Sequence, residues 1–361
     1  MRSVSTLATV LIVGAGVSLV PTTAQAGPPA HLCRGHRATI VGTPGDEVLR
    51  GTARRDVIAA RGGADRILGL GGNDLICAGP GADVVHAGGG NDVVLAGRGP
   101  DVVTGNQGDD RVSAGPRLEQ GTDVLVADAG NDVLCGHPRS ALVSFARAGK
   151  GGVVVDLARG HASGPGVGRD RLVGIRKVAG SAAADVLQGT SRADLLLDRG
   201  GDDWVFGRGG ADVIFGRAGS DVLRGGAGRD LVVSTLRDDV AGGSGGDVVL
   251  ASGGAVVRGD GGRDVLLGIG GAPVLDGGRG RDAVGLRAAG GPTRVDLRRG
   301  VADSRRTHAE LRRLERVVRG PRMAQALHRA VERAERRGAV LHHAGPADAR
   351  LHRLVRWATR R

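Results

Sequence analysis

Single aliphatic residues recur at every ninth position through much of the chain, each set two places after an aspartate. In the first run Ile67, Ile76, Val85, Val94, Val103 and Val112 follow Asp65, Asp74, Asp83, Asp92, Asp101 and Asp110. Asp56 opens that run, and Asp123 and Asp132 resume the interval after a break. A second run holds Asp185, Asp194, Asp203, Asp212, Asp221, Asp230 and Asp239, then loosens into Asp247, Asp264 and Asp282. Ala255 and Pro273 stand there in aspartate slots. Two places before most of these aspartates sits glycine, as at Gly63, Gly72, Gly81, Gly90, Gly99 and Gly108. Each unit therefore reads as a glycine-rich tight turn followed by a three-residue strand whose middle side chain faces inward.

Two such units make a coil of eighteen residues. Stacked coils give two parallel sheets with a thin Val/Ile/Leu seam between them, a fold class that is all-β and solenoidal. At the ~4.8 Å spacing of neighbouring strands, turns on the same side come close together. Asp56, Asp74, Asp92 and Asp110 then line one edge, and Asp65, Asp83 and Asp101 the other. Columns of carboxylates repel and call for a counter-charge. Ca²⁺ suits them, because it takes six to eight oxygens from carboxylates and from the carbonyls that glycine turns leave open.

The cleanest units are Gly225-Gly226-Ala227-Gly228-Arg229-Asp230-Leu231-Val232-Val233 and Gly242-Gly243-Ser244-Gly245-Gly246-Asp247-Val248-Val249-Leu250. On these the chain resembles the haemolysin-type, or repeats-in-toxin, calcium-binding family over roughly residues 42–136 and 182–286. The resemblance implies a parallel β-roll in two blocks, with several Ca²⁺ ions between same-side turns. The metal ligands expected are Asp56, Asp65, Asp74, Asp83, Asp92, Asp101, Asp110, Asp132, Asp185, Asp194, Asp203, Asp212, Asp221, Asp230, Asp247 and Asp264. Plain turn closure by the aspartate's own backbone contacts is the competing account. It is strongest at Asp56, Asp185, Asp194 and Asp239, which lack glycine two places upstream. Glu47, nine before Asp56, reads as an imperfect substitute ligand. Arg or Ala before several aspartates (Ala64, Ala82, Arg229, Arg263) departs from the family pattern and should lower affinity there. The turns at Asn73-Asp74, Asn91-Asp92, Asp109-Asp110 and Asp202-Asp203 look best.

Composition agrees with a repeated backbone rather than a globular core. Glycine contributes 67 of 361 residues, aromatics are 1%, and tyrosine is absent. The net charge of +12 is uneven, since residues 305–361 hold sixteen arginines against five acidic residues. Residues 1–26 read as a signal peptide: Arg2, an apolar run from Leu7 to Val20, then Ala24-Gln25-Ala26. That run is too short for a membrane anchor, so no transmembrane segment is expected after cleavage. The organisation expected is a lead-in at 27–41, a first block at 42–136 and an inter-block segment at 137–181. A second block follows at 182–286, an inter-block-like segment at 287–320, and a short basic α-helical tail at 321–361. The two inter-block segments resemble each other, Val153-Val154-Val155-Asp156-Leu157 matching Val295-Asp296-Leu297 about 140 residues on.

Three cysteines, Cys33, Cys77 and Cys135, fit an exported chain. About three coils separate Cys77 from Cys135, roughly 15 Å along the stack, which exceeds disulfide reach. Cys33–Cys77 is the better pair, capping the first coils, with three free thiols as the alternative and the fate of Cys135 open. The tail suits either a helical cap or an anionic cell-surface polymer, and nucleic acid is not an expected partner of an exported protein. No catalytic residue is expected. There is no H-E-x-x-H, and the formal G-x-S-x-G at Gly242–Gly246 lies inside a nonapeptide, with Ser244 in a variable slot. Two functions remain: a calcium-stabilised extracellular structural or surface-binding module, or a non-catalytic folding or secretion accessory of an exported enzyme or toxin.

Overall fold

Three-residue strands are too short to stand alone, so each must be completed by the coil before and the coil after it. The computed structural model describes residues 32–116, 121–287, 294–296, 301–304, 307–314, 316–317, 329 and 332. In it the coils stack into a parallel β-solenoid. One sheet has fourteen strands, running from Val48–Arg50 to Arg316–Val317. The facing ladder carries the alternate strands, beginning with Ile40–Val41, Val57–Ala59, Leu75–Pro80, Val93–Arg98, Arg111–Ser113 and Val133–Cys135. Register advances one coil at a time, so Ile67 lies beside Val85, and Ile76 beside Val94. Residues 1–26, read above as a signal peptide, lie outside the described residues, as does the segment 321–361 apart from Arg329 and Glu332.

The inward column is the one the nine-residue spacing selects. Ile58, Ile67, Ile76, Val85, Val94, Val103 and Leu125 are fully buried, as are Leu187, Leu196, Val205, Ile214, Leu223 and Val232. Each contributes on the order of 1.5–3 kcal/mol by leaving water. Ala60, Ala78, Ala87 and Ala96 fill the narrower space four places after each aspartate.

The two halves differ on the outer face of the fourteen-stranded sheet. In the first half the positions flanking the middle residue are polar or only partly buried, as in Arg66–Leu68. In the second half the flanking positions Leu195, Val213, Phe215, Leu231, Val233, Val248, Leu250 and Leu267 are buried too and form a separate apolar cluster.

The inter-block segment does not interrupt the stack. Ala141–Ser144 and Lys177–Ala179 carry the fourteen-stranded sheet straight across it. On the other face an antiparallel meander of Val154–Asp156, His161–Gly164 and Gly168–Val173 links Val133–Cys135 to Val186–Gln188. The widened interior is filled by Phe145, Val153, Val155 and Val167, all buried. A matching meander of Arg294–Asp296, Val301–Ser304 and Thr307–Arg312 docks on Val274–Asp276. The sequence likeness between the two inter-block segments thus has a structural counterpart.

At the front of the stack, the hairpin Leu32–Cys33/His36–Arg37 lies over the outer face, with Cys33 packed on Val57 and Leu75. Cys33 is disulfide-bonded to Cys77, with Cα atoms 5.7 Å apart, and Cys135 is a half-buried free thiol. Among the described residues no helix is long and apolar enough to cross a membrane.

Candidate metal centres

Each turn must reverse the chain within six residues while leaving room for its neighbours in the stack. Glycine two places before the aspartate meets both demands. Gly99 and Gly228 hold φ of 120° and 143°. A Cβ on either would lie 1.5 or 1.4 Å from a carbonyl oxygen of the preceding coil. Side chains are excluded there by strain and by space, and carbonyls are left facing the gap between turns.

In each half the aspartates form two ladders. The Asp56 N–H donates to Oδ1 of Asp74 at 2.8 Å, Asp74 to Asp92 at 2.7 Å, Asp92 to Asp110 at 2.8 Å and Asp110 to Asp132 at 2.9 Å. On the opposite edge Asp65 donates to Asp83 at 2.8 Å and Asp83 to Asp101 at 2.9 Å. In the second half one ladder joins Asp185, Asp203 and Asp221. The other joins Asp194, Asp212, Asp230, Asp247, Asp264 and Asp282. Every one of these carboxylates is buried.

One oxygen of each carboxylate is thereby satisfied; the other decides the chemistry. The second oxygens of Asp65, Asp74, Asp83, Asp92, Asp101, Asp110, Asp203, Asp221, Asp247 and Asp264 are buried without a hydrogen-bond partner. Burying an unpaired carboxylate oxygen is costly, and a divalent cation removes that cost. Oδ2 of Asp110 lies over Gly105, 1.9 Å from where a Cβ would stand, so the residue five places upstream must be small. Without metal the carboxyls hold their protons to higher pH than an exposed aspartate does. Burial pushes Asp83 and Asp92 up to about 6, Asp101, Asp203 and Asp247 to about 7, and Asp110 to about 8, each aided by neighbouring carboxylates. Orphaned carboxylate oxygens facing stacked carbonyls are a donor set that fits Ca²⁺.

Residues 41–76, 78–103, 86–116, 119–137, 179–214 and 199–232 match the RTX calcium-binding nonapeptide repeat. The chain carries RTX calcium-binding repeats. It binds Ca²⁺ at several sites, and its β-roll is a calcium-binding structural module. No curated protein matches the chain. The RTX matches stop at 232, where the coil shortens. From Asp221 to Asp238, from Asp230 to Asp247 and from Asp247 to Asp264 the ladder steps are seventeen residues rather than eighteen.

That shortening corrects one expectation. Asp239 keeps the nine-residue count but is not in the ladder; Asp238 is, accepting from the Asp221 N–H at 3.1 Å. One residue is lost between Asp230 and Asp238, so counting places the carboxylate one position too far on. Asp239 instead pairs with Arg224 and Arg258 at 2.6 and 2.5 Å on the surface. Asp170 is a second ladder member that counting missed, because the meander puts it 38 residues after Asp132. Its local spelling, Gly168-Arg169-Asp170-Arg171-Leu172, carried the signal.

The turns without upstream glycine are built differently. Thr52 gives both its N–H and its hydroxyl to Oδ2 of Asp56, at 2.7 and 2.9 Å. Ser181 gives its N–H to Oδ2 and its hydroxyl to Oδ1 of Asp185, and the Val153 N–H adds a third bond to Oδ1. Asp194 is intermediate: the Thr190 N–H binds Oδ2 at 2.5 Å while Oδ1 has no partner. Glu47 is half-buried and turns its Oε2 to the Thr43 N–H at 2.7 Å, while its own N–H extends the Asp65 ladder.

Residues just before the aspartates also acquire a specific role. Asn73 Oδ1 accepts from the Asn91 N–H, Asn91 from Asp109, Asp109 from Asn131, and Asn131 from Arg169. This exposed ladder runs opposite in direction to the carboxylate ladder beside it. Its side chains stack coils, which is why Asn and Asp recur there. Between the halves the second carboxylate column is broken at Asp123, beside which the buried Lys177 enters. Burial lowers the Lys177 ammonium to about 8, opposed by attraction to Asp123.

Proposed function

We propose that the chain is an exported, non-catalytic module whose RTX β-roll is locked by extracellular Ca²⁺ to present a rigid surface. The supporting observation is the row of buried carboxylate oxygens without partners, which makes the fold conditional on cation. Calcium is scarce before export and plentiful after it, so conditional folding suits a chain bearing a cleavable leader. Ser244 supports the non-catalytic reading: it is exposed in the ladder of Asp239–Gly245, between Ala227 and Gly261, without a nucleophile elbow. The Arg-rich segment 321–361 supplies a cationic patch suited to an anionic wall polymer.

Two measurements on the full chain test this. Far-UV circular dichroism should show β-structure gained with millimolar Ca²⁺ and largely lost with chelator. Binding to anionic wall polymer should fall with salt and on deleting 321–361, while Ca²⁺ stoichiometry stays unchanged. A spectrum indifferent to Ca²⁺ and chelator would refute the calcium lock. Retained adhesion after deletion would refute the tail's role.

A further inference from the structure

One described turn sets a carboxylate where the others carry an uncharged residue. Five places before the ladder aspartate most described turns carry Gly or Ala, such as Gly69, Ala87, Gly105 or Gly207, and the exceptions at Pro165 and Val233 bring no charge. Before Asp203 that position is Asp198, fully buried at the end of strand Leu195–Leu197. Its Oδ1 accepts from the Arg217 N–H of the next coil at 3.0 Å, which fixes the carboxylate in place. Its Oδ2 receives no N–H or hydroxyl, nor do Oδ2 of Asp203 and of Asp221, while the Asp198 and Asp221 carboxyls lie within reach of each other. One ligand oxygen from each of the three residues lies within 4.8 Å of the others.

From these observations, and resting on the calcium reading above, we infer that Asp198, Asp203 and Asp221 form a single tri-carboxylate Ca²⁺ site. Its extra carboxylate makes it bind Ca²⁺ more tightly than turns that offer ladder carboxylates alone. An ion 2.3–2.6 Å from each of its oxygens spans about 5 Å between opposite ligands, so one Ca²⁺ reaches all three. Ordinary turns offer only their ladder carboxylates and carbonyls. This turn adds a third negative charge, and ligand charge is what tunes Ca²⁺ affinity over several decades. Asp238 is next in the ladder, its Oδ1 on the Asp221 N–H and its Oδ2 on the Ser234 hydroxyl at 2.7 Å. It adds field without needing the ion. Metal-free, three buried carboxylates at this separation repel, so the same residues that tighten binding weaken the empty fold.

Trp204, next in sequence to Asp203, gives the site its own reporter. The chain has two tryptophans, and the other is Trp357 in the tail. Full-length protein carrying Trp357→Phe leaves Trp204 as the indole that can sensitise terbium bound at the turn. The variants are Asp198→Asn, which keeps shape, and Asp198→Gly, which restores the residue found in neighbouring turns. Asp92→Asn serves as a distant control. Terbium titration should show that the first ion bound gives the sensitised signal and that Ca²⁺, but not Mg²⁺, competes it away. Both Asp198 variants should weaken that first step at least tenfold, roughly the effect of one ligand charge, while Asp92→Asn leaves it unchanged. Thermal scans should cross: in chelator the Asp198 variants melt higher than the parent, and in Ca²⁺ lower.

A merely structural Asp198 would lower melting in both media, and that result overturns the inference. So does an unaltered first binding step in folded Asp198→Gly. A parent that binds no Ca²⁺ would overturn the calcium reading as well. A parent that binds several ions with indistinguishable Asp198 variants overturns this site alone.

Discussion

The turns at Asp56 and Asp185 and those at Asp74, Asp92, Asp101 and Asp110 share one frame and opposite electrostatics. In the first pair a Thr or Ser four places upstream donates its N–H and hydroxyl to the carboxylate. In the others that place is taken by Leu70, Gly88, Gly97 or Asn106 in a positive-φ conformation, and one carboxylate oxygen is orphaned. A hydroxyl closes the turn from within the chain. Glycine opens it and leaves the charge for something outside. Hydroxyl-closed turns stand where both Asp-frame runs begin, at 56 and 185, and again at Asp238, where Ser234 bonds the carboxylate and the coil shortens. The difference separates aspartate as a turn-former from aspartate as a ligand, a distinction invisible in the Asp count alone.

The largest effect that sharpens this contrast is loss of ions. Asp74→Ala combined with Asp92→Ala removes two stacked carboxylates with orphaned oxygens, and should lose at least one bound Ca²⁺. The remaining ions on that edge should weaken by about tenfold or more. Asp194→Ala with Asp239→Ala should cost far less. Asp194 is already half satisfied by Thr190. Asp239 lies outside the ladder in an exposed arginine pair worth at most about 1 kcal/mol. Calorimetric titration of both double variants would decide it, and equal losses of stoichiometry would erase the proposed difference.

A pH effect comes next in size. Burial raises Asp101 and Asp203 to about 7 and Asp110 to about 8, from 3.8. A carboxyl with a raised folded-state pKa binds its proton more tightly when folded. The metal-free fold is therefore most stable below about pH 4 and loses stability as pH climbs towards 8. Two arginine-paired carboxylates pull the other way. Asp276 is lowered by hydrogen bonding to Arg313; at Asp156 burial raises the pKa but the Arg159 amide and Arg208 outweigh it. They are outnumbered. In chelator the melting temperature should fall between pH 4 and 8, and Asp101→Asn with Asp110→Asn should flatten the slope. With Ca²⁺ present, affinity should rise over the same interval as protons leave the sites. A metal-free melting temperature that climbs from pH 4 to 8 would contradict the burial of unpaired carboxyls.

Much of this architecture is legible in the sequence, because a strict nine-residue frame is itself a geometric instruction. Gly two before Asp and an aliphatic two after suffice to place strand, seam and ladder from Asp65 to Asp110. Legibility fails where the backbone changes length. Asp238 displaces Asp239 because one residue drops from a coil, and Asp170 joins the ladder only through a meander that no counting anticipates. It fails again where one residue type has two uses. Asn73 and Asn91 read as ligand enhancers beside the aspartate, yet their side chains accept amides and stack coils. Asp198, between a leucine run and an arginine, lies off the nine-residue frame, so counting passes over it. Only the fold shows that its position is the glycine slot facing Asp203 and Asp221.

The smallest effect is the sharpest test of the hydroxyl-closed class. Thr52→Ala and Ser181→Ala each delete a hydroxyl bonded to a buried carboxylate, at 2.9 Å for Asp56 and 2.7 Å for Asp185. A hydrogen bond to a charged group contributes roughly 1.5–3 kcal/mol, and the backbone N–H at the same position remains to hold the carboxylate. Each variant should therefore melt a few degrees lower in Ca²⁺ than the parent. Neither should change how many ions bind, since the affected carboxylate was satisfied by protein rather than by metal. The loss should persist in chelator, unlike that of any ligand variant, because the bond removed does not depend on cation. Calcium titration beside thermal melts in both media separates the cases. If Thr52→Ala or Ser181→Ala lowered the ion count, or lost stability only when Ca²⁺ was present, these turns would be metal sites like the rest, and the two classes would collapse into one.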